Sequence, residues 1–74
     1  MKAISTEVLL RRSLNLQLAE SQERHAAELR SDAEESARDG DTVMQAILLR
    51  GAEEAKKAAA AFREAHERMV ADLR

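Results

Sequence analysis

Few residues in this 74-residue chain could carry chemistry: two histidines (His25 and His66), the acids around a glycine in Asp39-Gly40-Asp41, and scattered carboxylates and arginines. A metal site needs several ligands converging within bonding distance, and two isolated histidines in a chain without cysteine do not supply them. Di-iron bundle proteins place a Glu three residues before each ligating His, and Gln22 and Arg63 stand there instead. Haem ligation by the two histidines meets the same objection, because a macrocycle needs volume and alanines dominate the facing positions. Asp39-Gly40-Asp41 offers two carboxylates, against a calcium loop that also requires further oxygens and a terminal bidentate Glu at fixed spacing. A helix stop followed by a helix cap accounts for both acids. Glu34, Glu35, Glu53 and Glu54 fall on surface positions. Glu7 with Arg11, Glu20 with Arg24, Glu34 with Arg38, Glu53 with Lys57 and Glu64 with Arg68 form four-residue ion-pair spacings. No carboxylate sits beside a nucleophile, so no catalytic, cofactor or metal residue is expected and the chain does not read as an enzyme.

The net charge of −2 is too balanced to draw the chain onto nucleic acid or a membrane. Arg11, Arg12, Arg63 and Arg68 could gather into a basic patch, but Glu7, Glu64 and Glu67 interrupt it and no aromatic platform accompanies it. The longest apolar runs, such as Ala46 to Leu49 and Ala58 to Phe62, fall far short of the roughly 20 residues that span a bilayer. Met1-Lys2-Ala3-Ile4 is not followed by the apolar stretch of a secretory signal. Nucleic acid, membrane and small molecules are therefore not expected partners. The expected location is the cytoplasm, or none at all for a chain of designed origin.

Ala, Glu, Leu, Arg and Lys make up most of the chain, with no Pro or Cys and Phe62 as the only aromatic residue, which is a helical or coiled-coil composition. Gly40 is suited to the residue just past a helix end, and Asp41 or Thr42 can cap the next helix, Thr42 with Gln45 forming a reciprocal capping pair. Ser5 or Thr6 can cap the first helix. One module results: a helix over about 6–38, a loop at about 39–41 and a helix over about 42–74, folded as an antiparallel two-helix hairpin. Two other arrangements compete with it. Leu14-Asn15-Leu16-Gln17-Leu18 alternates as a strand would, and caps at Ser31 with a turn at Gly51 would give a three-helix bundle.

The second helix repeats apolar residues at spacings of three and four through Met44, Ile47, Leu48, Gly51, Ala55, Ala58, Phe62, Ala65, Met69 and Leu73. The first does so through Ile4, Val8, Leu18, Ala26, Leu29, Ala33 and Ala37, with Arg11, Asn15 and Gln22 on the same stripe. Gly51 is in phase with its stripe and should let a facing helix approach closely. Leu9 and Leu16 fall nearly opposite the stripe, and Leu10 and Leu14 on a third side, so one hairpin cannot cover them all. Each Leu left in water forgoes roughly 1.5–3 kcal/mol. Only 18 apolar residues are larger than Ala, and a chain this short rarely stabilises itself without a staple or a partner. The expected partner is another copy of the chain, a dimer most simply. The expected contacts are Leu9, Leu10, Leu14, Leu16, Leu18, Gly51, Ala55, Ala58, Phe62 and Met69.

The run from Ala52 to Met69 carries strong helix formers at every surface position and resembles the helices of computationally designed bundle proteins. The short loop and equal arms agree with that resemblance, while Arg11, Asn15 and Gln22 on the first stripe depart from it and suit a natural hairpin. Small plasmid-encoded RNA-binding hairpins share the architecture only. The resemblance implies an all-α, homo-oligomeric helical bundle whose role is self-assembly. The competing class is a module that presents its leucine-rich first helix to a different protein.

Overall fold

The computed structural model describes residues 13–73, which form two helices, α1 (Leu14–Arg38) and α2 (Thr42–Asp72), packed against each other as a hairpin. Leu14 to Leu18 are the first turns of α1, not a strand. Ser31 and Gly51 lie inside continuous helices, so the three-helix arrangement in which they mark turns is not formed. The first helix, expected from about residue 6, begins at Leu14 among the described residues, with Ser13 as its N-cap in an extended conformation, φ −54° and ψ 129°. The expected helical residues 6–12 lie outside the described residues. α2 ends at Asp72, with Leu73 capping it and Arg74 outside the described residues.

The connection is three residues long, and each has a hydrogen-bonding task. The Gly40 N–H donates to the Ala37 carbonyl at 3.1 Å and the Asp41 N–H to the Ser36 carbonyl at 2.8 Å. Together these satisfy the last carbonyls of α1 in the Schellman pattern. That pattern needs a left-handed residue, and Gly40 supplies it at φ 77°. The chain therefore reaches Asp41 already turned, and its Oδ1 accepts the Met44 N–H at 2.9 Å. Asp41 is the cap and Thr42 is the first helical residue, so the expected Thr42–Gln45 capping pair is not the device used.

Alanine fills the line of contact. Ala19, Ala26 and Ala33 of α1 and Ala52, Ala55 and Ala59 of α2 are buried, while among the described residues no large side chain is fully buried. The α1 alanines recur every seventh residue, as do Ala52 and Ala59. Between them the half-buried Asn15, Gln22, Leu29 and Ser36 on α1 and Leu48, Phe62, His66 and Met69 on α2 complete an alternation of threes and fours. A sustained seven-residue repeat of this kind keeps one seam of each helix turned to its neighbour.

This placement corrects the phase expected for α2. Met44, Ile47 and Leu73, assigned to the buried stripe, are 43%, 59% and 54% exposed, and Ala52 and Ala59 occupy the contact instead. At roughly 100° per residue the seam is turned by about 60° from the stripe of bulky residues. Two helices approach most closely where side chains are smallest, so alanine takes the seam and larger side chains are left on its flank. On α1 the expectation holds better. Ala26 and Ala33 are buried and Leu18 and Leu29 half-buried, while Ala37 beside the loop is exposed.

Candidate functional site

Two contacts fix how the helices are turned. A Cβ built on Gly51 would meet Leu29 Cδ1 at 3.2 Å, which marks a close approach on one side of the seam. On the other side the Arg63 guanidinium grips the Glu23 carboxylate in a two-point ion pair, Nε to Oε2 at 3.1 Å and Nη2 to Oε1 at 2.5 Å. This pair holds the Glu23 carboxyl below its ordinary value, chiefly through the hydrogen bond from Arg63.

From these anchors the helical repeat sorts the remaining residues onto two broad faces. Met44, Ile47, Ala58, Phe62, Ala65 and Met69 share the Gly51 side of α2, and Leu14 and Leu18 the Leu29 side of α1. α2 also brings Glu54 and Asp72 to this face, with Arg50 and Arg68 at its rim, and α1 brings His25 and Asp32. The opposite face carries Glu23, Arg30, Lys56, Arg63 and Glu67, along with Leu16 and Leu49. The hairpin therefore has one face richer in bulky apolar side chains and one that carries the ion pair joining the two helices.

The residues expected at a contact divide accordingly. Ala55 is buried in the seam within the hairpin. Leu18, Gly51, Ala58, Phe62 and Met69 are half-buried along its apolar flank, and Leu14 is 67% exposed at the end of that flank. Leu16 is half-buried and turns toward the Glu23 side. Leu9 and Leu10 lie outside the described residues. Sequence reasoning did not single out Ala19, Ala52 and Ala59 as seam residues, nor Val43, Met44 and Ile47 as exposed ones. Their signal was the exact seven-residue recurrence of alanine, which is outweighed by bulk when apolar residues are ranked by size. The Glu23–Arg63 pair joins residues forty apart and has no local signature.

The chemistry-bearing candidates remain scattered. His25 is exposed, and His66 is half-buried with Nδ1 buried and without a hydrogen-bond partner, as is Ser13 Oγ. No cluster of His, Cys, Asp or Glu able to hold a metal ion occurs among the described residues. Asp39 and Asp41 flank the loop, and Asp41 is committed to its cap. Lys57 pairs with Glu54 at 3.8 Å rather than with Glu53, and none of the other expected four-residue pairs is formed among the described residues. An open hollow of about 280 Å³ beside Ile47 is lined by Ala46, Ile47 and Arg50, with one cationic group and no second polar group to orient a ligand. Among the described residues, no helix is long and apolar enough to cross a membrane. No protein family model matches the chain, and neither a curated protein nor a solved structure is similar to it.

Proposed function

We propose that the chain is a structural self-assembly module: an antiparallel helical hairpin that associates with its own copies, most simply as a dimeric four-helix bundle, and has no catalytic activity. One observation carries this reading. The described hairpin fully buries alanine methyls only, while Leu14, Val43, Met44, Ile47, Leu49 and Leu73 are all between 43% and 70% exposed. A monomer normally places its bulkiest apolar side chains inside, and every one left in water forgoes roughly 1.5–3 kcal/mol. A helical pair with small residues inside and large ones outside is the arrangement expected of one layer of a larger bundle. The alanine repeat and the fully bonded three-residue loop also support a designed origin.

Charge favours copies that run in opposite directions. Residues 28–54, at the loop end, hold eight acids and three bases, whereas residues 1–13 with 67–74 hold five bases and three acids. Setting two loop ends side by side would bring like charge together. Sedimentation of the pure chain at low micromolar concentration tests the proposal, and a mass of two or more chains is expected. A single-chain mass would instead favour the second reading, a module whose exposed Leu14 end engages a different protein. Asp39→Cys reports orientation: loops at opposite ends of a dimer leave the new thiols unlinked under mild oxidation, and rapid cross-linking would place the loops together.

A further inference from the structure

We infer that the second copy docks on the Leu29–Gly51 face, with the Glu23–Arg63 face turned to solvent. This rests on the self-assembly reading and adds to it the surface used. The molecule measures 60 × 20 × 10 Å, so it is a single layer of helices, and a hydrophobic core needs a second layer over it. Of the two broad faces, one is occupied by the two-point Arg63–Glu23 pair together with Arg30, Lys56 and Glu67. Covering that face would desolvate several charges without offering each a partner. The other face bears Leu14, Leu18, Ile47, Ala58, Phe62 and Met69, the bulkier apolar set, with Asp32, Glu54 and Asp72 as its charges.

The occupant is a second hairpin because its dimensions and rim both match. At 1.5 Å per residue the 25 residues of α1 and 31 of α2 run about 37 and 46 Å, so a face about 20 Å wide is close to the roughly 800 Å² per partner that a stable interface takes, and a partner of equal length covers it end to end. The face and its rim carry both signs, Asp32 and Glu54 on it with Arg50 and Arg68 at the edge, so it answers a partner of the same mixed pattern. A membrane surface would call for a cationic rim. In a two-fold pair the same patch meets itself, so Ile47 is covered in both copies.

Ile47 and Leu49 provide the test. Both are exposed in the single hairpin, at 59% and 44%, so neither is needed to close the Ala seam, yet they lie on different faces. Ile47→Glu should reduce the assembled mass to that of one chain, and Leu49→Glu should leave it unchanged. Thiol alkylation gives a second measurement that does not depend on disrupting the assembly: Ala58→Cys should be protected and Lys56→Cys should react freely. A single-chain mass for the unaltered protein would remove the self-assembly reading itself. An assembled protein in which Leu49→Glu dissociates the copies, Ile47→Glu does not, or Lys56→Cys is the protected thiol would overturn the face alone.

Discussion

The alanine seam and the bulky flank of α2 lie about 60° apart on one helix, and the larger side chains are on the less protected side. Ala52, Ala55 and Ala59 are 1%, 6% and 3% exposed, while Met44 and Ile47 on the flank are 43% and 59% exposed. Distance explains the inversion. A closely approached helix pair has room for methyl groups along the contact line, and anything longer is displaced sideways. Interhelical closeness and hydrophobic burial are thus provided by different residues, the first within the hairpin and the second by whatever covers its flank.

Enlarging the seam should break this division most severely. Ala52→Leu adds three carbons to a position with no spare volume, and overpacking of this kind costs about 1–3 kcal/mol. In a domain of this size each kcal/mol lowers the melting temperature by roughly 4–8 °C, so thermal denaturation followed by circular dichroism would register it clearly. Ala58→Leu, on the half-buried flank, should cost the hairpin less and act instead on the mass of the assembly. Equal losses of stability from the two substitutions would erase the distinction between seam and flank.

The loop sharpens the same contrast, because there local hydrogen bonds act without packing. Asp41→Ala removes the acceptor of the Met44 N–H and should cost about 1 kcal/mol, read as a shift in denaturant midpoint. The two glycines should respond with opposite signs. At Gly40 an added Cβ meets nothing within 4 Å, yet φ 77° disfavours any L side chain, so Gly40→Ala should destabilise by about 1 kcal/mol. Gly51→Ala gains about 0.8–1 kcal/mol of helix propensity. Part of that gain is offset because Leu29 Cδ1, at 3.2 Å from the new methyl, must move by a few tenths of an ångström. Leu29 is half-buried and its end can rotate, so a net gain of about 0.5 kcal/mol is expected.

How far the sequence foretold this division follows from what each signal measures. The loop was legible because Gly40 and Asp41 act through bonds to residues three to five positions away, although Asp41 displaced Thr42 as the cap. The α1 stripe was legible because Asn15 and Gln22 hold its polar positions and leave little choice of phase. On α2 the bulky side chains pulled the expected seam toward Met44 and Ile47. Size is a poor guide where close approach decides, and the recurrence of alanine at Ala52 and Ala59 carried the correct phase. Ser13 stands at the N-cap of α1, later than the expected caps Ser5 and Thr6, and its side chain makes no capping bond.

The smallest effect belongs to the ion-paired face. Arg63 holds the Glu23 carboxyl below its ordinary value of 4.5, mainly by hydrogen bonding and secondarily by charge. A carboxyl whose value is lowered on folding contributes stability above its unfolded value and loses it as the pH falls through the folded one. The pair's contribution should therefore be complete near neutrality and fade below about pH 4.5. Both side chains are 46% exposed, so water and salt screen the attraction and the expected change in melting temperature is slight. Glu23→Gln should flatten this part of the acid titration and leave the mass of the assembly unchanged, because the face is turned to solvent. A loss of assembly in Glu23→Gln would place the ion pair between copies and exchange the roles of the two faces.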